Sequence, residues 1–85
     1  MPNKTVAVGS SIGLHARPAA VIADAVAESG VPVTLAVADG EPVDAGSALL
    51  IMTLGATQGT EVIVETEDAE TLDKVAALVA ANLDA

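Results

Sequence analysis

The sequence predicts an α/β protein of the α+β kind, with a four-stranded sheet covered on one face by three helices in the order β-α-β-β-α-β-α. Three observations carry that expectation. Four short segments alternate apolar and polar residues, as half-buried strands do. Three further segments repeat apolar residues at helical spacing. Elements with one apolar side each are satisfied by two layers closing on a shared core. The 85 residues make a single domain, 1–85.

Residues 5–8 read Thr-Val-Ala-Val, a strand with Val6 and Val8 inward. Residues 9–13 form a loop. From Ala16 the apolar residues Ala19, Ile22, Ala23 and Val26 recur at helical spacing, and Ser29-Gly30 ends that helix. Pro18 fits its first turn, where a missing N–H has no intrahelical partner to lose. Val31, Val33, Leu35 and Val37 share one face of the second strand, with Thr34 and Ala36 on the other. Asp39-Gly40 signals a hairpin. Residues 41–45 return as a short strand whose Pro42 points to an edge or an irregular start. Residues 47–54 form a short helix, stopped by Gly55. In residues 60–67, Val62 and Val64 face inward, while Glu61, Glu65 and Glu67 lie on an open, wet face. Ile63 shares that wet face and should be partly exposed. Residues 68–83 close the chain as a helix with the stripe Leu72, Val75, Ala76, Val79 and Leu83.

Composition narrows the class. There is no cysteine, which removes disulfides and thiolate metal sites, and no Phe, Tyr or Trp, so the core is aliphatic. Hydrophobic residues still make up 52% of the chain, enough for a packed domain. Twelve acidic residues against Lys4, Arg17 and Lys74 give a net charge of −9, which repels nucleic acid and anionic membranes. The longest apolar run, residues 48–52, is too short to span a bilayer, and the first residues do not form an export signal. A cytoplasmic protein is expected.

The chemistry gathers at Gly13-Leu14-His15-Ala16-Arg17-Pro18-Ala19-Ala20. His15, the single histidine, falls where a loop becomes a helix. Unpaired N–H groups and the positive end of the helix dipole meet there, and together they favour phosphate. Ala16 and Arg17 can offer backbone N–H groups; Pro18 cannot. Arg17 adds a guanidinium fork suited to phosphate oxygens. Gly13 allows a sharp turn without a Cβ. A histidine ring nitrogen is nucleophilic, and the neutral ring is well populated near pH 7. Phosphoryl transfer needs in-line positioning and charge stabilisation on the equatorial oxygens, which such a site can provide. One imidazole without a thiolate cannot make a zinc site, so no metal and no cofactor is expected. No nucleophile elbow supports a hydrolase.

The segment from Gly13 to Ala19 resembles the active-site signature of the HPr family of histidine phosphocarriers. Gly46-Ser47 through Met52-Thr53-Leu54-Gly55-Ala56 resembles that family's second signature, around a regulatory serine. The resemblance covers the whole chain and implies an open-faced β-sandwich with an antiparallel sheet. It further implies a phosphocarrier of the phosphoenolpyruvate-dependent sugar phosphotransferase system. His15 would be phosphorylated at Nδ1 by enzyme I and would pass the group to IIA domains of sugar permeases, with Arg17 stabilising the phosphoryl group. Such a protein is a stoichiometric carrier within a phosphotransferase chain rather than a stand-alone enzyme. It is expected to be monomeric, because one face must meet successive partners.

By the same resemblance, partners dock on Ala16, Arg17, Ala20, Asp24 and Ala27 of the first helix and on Ser47, Ala48, Leu49 and Met52 of the second. Ile51 and Leu54 are the better core candidates. Asp24, Ala27 and Gly46 occupy places where the family often carries lysine, and Leu50 one that is often small or polar, so apolar contact is expected to carry more of the binding. Ser47 is expected to cap the short helix. Where a serine kinase exists as a further partner, a phosphate on Ser47 would add about two negative charges beside the docking face and weaken binding. Two other readings share the pattern: a paralogue serving a nitrogen-regulatory or dihydroxyacetone phosphorylation branch, and a non-catalytic ACT-like ligand-binding module. The second would have no need of His15 and Arg17 at a helix start.

Overall fold

A computed structural model describes residues 2–81. It contains β1 (Asn3–Ala7), α1 (Ala16–Ser29), β2 (Thr34–Val37), β3 (Val43–Asp44), α2 (Ala48–Thr53), β4 (Glu61–Glu65) and α3 (Ala69–Ala80). The four strands form one sheet in the order β1-β4-β2-β3, every neighbouring pair antiparallel. The expected element order and open-faced architecture are therefore observed.

Period-2 alternation sets the two faces of the sheet. Leu35, Val62 and Val64 are completely buried beneath the helices, where they meet Ile22 and Val26 of α1, Ile51 of α2 and Val75 and Val79 of α3. No aromatic residue takes part, so the core depends on many aliphatic contacts, each fully buried side chain contributing about 1.5–3 kcal/mol. Across the open face, Thr5, Ile63 and Ala36 stand side by side, and Asn3, Glu65, Thr34 and Asp44 form the next row. Ile63 is 36% exposed, as its place on the wet face requires. Ala36 departs from expectation: its small methyl is buried, flanked on the central strand by Ile63.

Other departures lie at element ends. β2 begins at Thr34, after Pro32, which has no N–H for a ladder. β3 shrinks to two residues, because Pro42 precedes it and the Asp44 carboxylate turns the chain by accepting the Gly46 N–H at 2.8 Å. Val8 lies just beyond β1, yet it is buried and continues the pairing by donating to the Thr60 carbonyl at 2.9 Å. β4 ends at Glu65; Thr66 is buried and its hydroxyl donates to the Pro32 carbonyl. α3 starts after its cap, Asp68, and Leu83 of the expected stripe falls outside the described residues.

Candidate functional site

α1 begins where expected. His15 is its N-cap, with extended backbone (φ −85°, ψ −166°), and its side chain makes no capping bond. The His15 carbonyl accepts the Ala19 N–H at 2.9 Å, the first bond of the helix. Ahead of that bond, the N–H groups of Ala16 and Arg17 have no acceptor among the described residues, and Pro18 has no N–H. Two free donors thus follow His15 in the chain, at the positive end of a 14-residue helix. Pro18 is buried and fixes the first turn, while His15, Ala16 and Arg17 are all exposed.

The loop before His15 is held from two sides. Gly9 donates to the Val79 carbonyl at 3.1 Å, against the end of α3. On the other side, Leu14 is buried and donates to the Ala56 carbonyl at 3.0 Å. Gly13 has φ +76°, and a Cβ there would lie 2.3 Å from the Ala56 oxygen. Its lack of a side chain therefore serves both the turn and the close approach.

Arg17 makes no ion pair among the described residues, where the single salt bridge joins Lys4 to Asp73 at 2.7 Å. Its guanidinium is free to meet an incoming anion. No group of three or more His, Asp or Glu side chains among the described residues lies close enough to hold a metal ion. A surface cleft of about 370 Å³ is lined by Val31, Pro32, Thr66, Glu67 and Asp68. It lies past the far end of α1 and contains none of the sequence-predicted site residues. A site that meets another protein needs an exposed group rather than a deep cavity.

α2 packs against α1, which brings the two expected docking segments together. Ala20, Asp24 and Ala27 are exposed on α1. On α2, Leu49 is 69% exposed, whereas Ala48 and Met52 are half-buried and pack partly on the core. Ile51 is completely buried; Leu54 is half-buried against the same cluster. Ser47 caps α2, its hydroxyl oxygen accepting the Leu50 N–H at 3.3 Å. The sequence reading of Leu50 as an exposed apolar residue agrees with its 39% exposure, but that reading missed two other exposed apolar residues, Ile12 at 52% and Val21 at 38%. Val21 could have been found from its position one helical turn after Arg17. Ile12, in a loop, carried no periodic signal.

Fold and site together define the class: an open-faced β-sandwich that displays a single histidine at the positive end of a helix. A family model described as PTS HPr component phosphorylation site matches residues 2–82. The phosphocarrier protein HPr of Streptomyces coelicolor (strain ATCC BAA-471 / A3(2) / M145) is 51% identical over 59 residues, covering 69% of this chain and 63% of that protein. The matched region thus spans a little under two thirds of that curated relative. Among solved structures, a phosphocarrier protein HPr from Bacillus anthracis str. Ames superimposes with a TM-score of 0.83 at 32% identity, covering 92% of this chain and 95% of that one. HPr-C-His from Thermoanaerobacter tengcongensis gives 0.82 at 29% identity, covering 93% and 91%. The chain belongs to the HPr phosphocarrier family. That membership sets aside the ACT-like reading. Among the described residues, no helix is long and apolar enough to cross a membrane.

Proposed function

We propose that this chain is a stoichiometric phosphocarrier of the sugar phosphotransferase system, acting in the cytoplasm between enzyme I and IIA domains of sugar permeases. The observation that carries the reading is His15 as an exposed N-cap beside the unbonded N–H groups of Ala16 and Arg17. In the forward step the Nδ1 lone pair of His15 forms a bond to phosphorus. The bond from phosphorus to the donor nitrogen of phosphorylated enzyme I breaks, and its electron pair returns to that nitrogen. The three equatorial oxygens carry the charge of the transfer state, and the helix N-terminus and the Arg17 guanidinium stabilise it. In the second step the same bond breaks in favour of a IIA acceptor, and the imidazole is regenerated.

Ser47 caps α2 in this reading, and a phosphate added to it would place about two negative charges beside Leu49. The branch served, sugar or paralogous, follows from which IIA domains accept the group.

Incubation with enzyme I and phosphoenolpyruvate tests the proposal. The expected product is one acid-labile phosphoryl group per chain, absent in His15→Ala. Arg17→Ala should keep the fold and lower the transfer rate by about 10²–10³-fold, the effect of removing one preorganised charge stabiliser. An adduct that persists in His15→Ala would overturn the assignment.

A further inference from the structure

Resting on that phosphocarrier reading, we propose that the face beside His15 is electrically two-ended: it fits a partner that brings a phosphoryl group to the start of α1 and cationic side chains to its acidic far half.

Successive helical residues turn by about 100°, so Arg17, Val21, Asp24 and Glu28 fall within an arc of about 60° on the exposed side of α1. All four are solvent-facing, opposite the buried Ala19, Ile22, Ala23 and Val26. Arg17 is the one cation of this stripe. Asp24 lies about 10 Å and Glu28 about 17 Å further along the axis. Neither carboxylate has an ion-pair partner among the described residues.

The far half of the stripe is therefore acidic. Between it and Arg17, Val21 supplies exposed apolar ground.

Complementary potentials steer encounter and set register, while like charges brought together oppose docking. A partner offering carboxylates to this half would be repelled by Asp24 and Glu28 together, on a chain whose net charge is already −9. A partner offering lysine or arginine there is drawn in, and it is aligned by Arg17 meeting the phosphoryl group at the other end. A phosphate on Ser47 would extend this acidic rim without reversing its sign.

The test measures phosphoryl transfer from enzyme I of the same genome, loaded with phosphoenolpyruvate, to the wild type, Asp24→Lys, Glu28→Lys and a control, Glu61→Lys. Glu61 is exposed on the open sheet face, away from the helices. Far-UV circular dichroism confirms that each variant is folded. Asp24→Lys and Glu28→Lys should each lower kcat/KM by about tenfold, leave kcat at saturation within about twofold, and lose much of that difference between about 50 and 200 mM salt. Glu61→Lys should stay within about twofold of the wild type. Labelling of the wild type with unchanged or faster labelling of Asp24→Lys overturns this inference alone. No labelling of the wild type overturns the phosphocarrier reading, and this inference with it.

Discussion

The backbone N–H of Leu14 donates to the Ala56 carbonyl at 3.0 Å, so the residue next to His15 is tied to the chain that leaves α2. The start of α1 and the end of α2 therefore share one anchor. Gly13 lets them approach so closely, and the position of His15 depends on it.

Gly13→Ala should expose that dependence. The new Cβ would meet a backbone oxygen at 2.3 Å and would occupy a left-handed conformation. We expect a loss of at least about 2 kcal/mol, since the left-handed conformation alone accounts for about 1–2. Gly55→Ala is the matched control, with φ +66° but open space around it, and should lose only the conformational part, about 1 kcal/mol. Urea unfolding of the pair checks this; equal losses would show that the Ala56 contact contributes nothing.

α2 has six residues, too few to be helical alone. Its hold on the core is Ile51, completely buried. Ile51→Ala should destabilise the protein by about 2–5 kcal/mol. Leu49→Ala, on the exposed side, should change stability by less than about 0.5 kcal/mol. Thermal melts of both variants separate core from surface; comparable losses would mean that Leu49 is a packing residue.

The two capped helices differ in the strength of their caps. Asp68 accepts both the N–H of Thr71, at 3.1 Å, and the Thr71 hydroxyl, and its charge faces the positive end of α3. Ser47 makes one longer bond, at 3.3 Å. Asp68→Ala should lose about 1.5 kcal/mol and Ser47→Ala about 0.5 kcal/mol, within the range of cap removals. Denaturant midpoints order the two, and the reverse order would contradict the geometry.

The Lys4–Asp73 pair links β1 to α3 at 2.7 Å, but its side chains are 52% and 68% exposed. Water screens such pairs and ordering two long side chains opposes them, so Lys4→Ala should change stability by less than about 1 kcal/mol. A loss above 2 kcal/mol in a urea melt would show that the pair braces the sheet edge.

Much of this was legible in the sequence, for identifiable reasons. Val62 and Val64 alternate with Glu61 and Glu65, and that period alone separates wet face from core. Ser47 and Gly30 sit at helix ends because a side-chain acceptor or a left-handed residue is needed there. His15 was placed at the start of α1 by the apolar spacing that follows it. Other features escaped because they depend on neighbours distant in the chain. Ala36 reads as outward by alternation, yet Ile63 helps to cover it. Met52 looked like a surface residue and turns partly onto the core. Val31 continues the strand pattern, but Pro32 ends the ladder before reaching it.

By itself, then, the chain's order of residues determined the number and kind of elements, their inward sides and the histidine at a helix start. Period, caps and prolines act within a few residues, so they can be read locally. Only the folded molecule decided the strand order β1-β4-β2-β3, the anchoring of residues 9–14 to α3 and Ala56, and the burial of Ala36 on the open face. Those arrangements come from contacts between segments tens of residues apart, which no local pattern encodes.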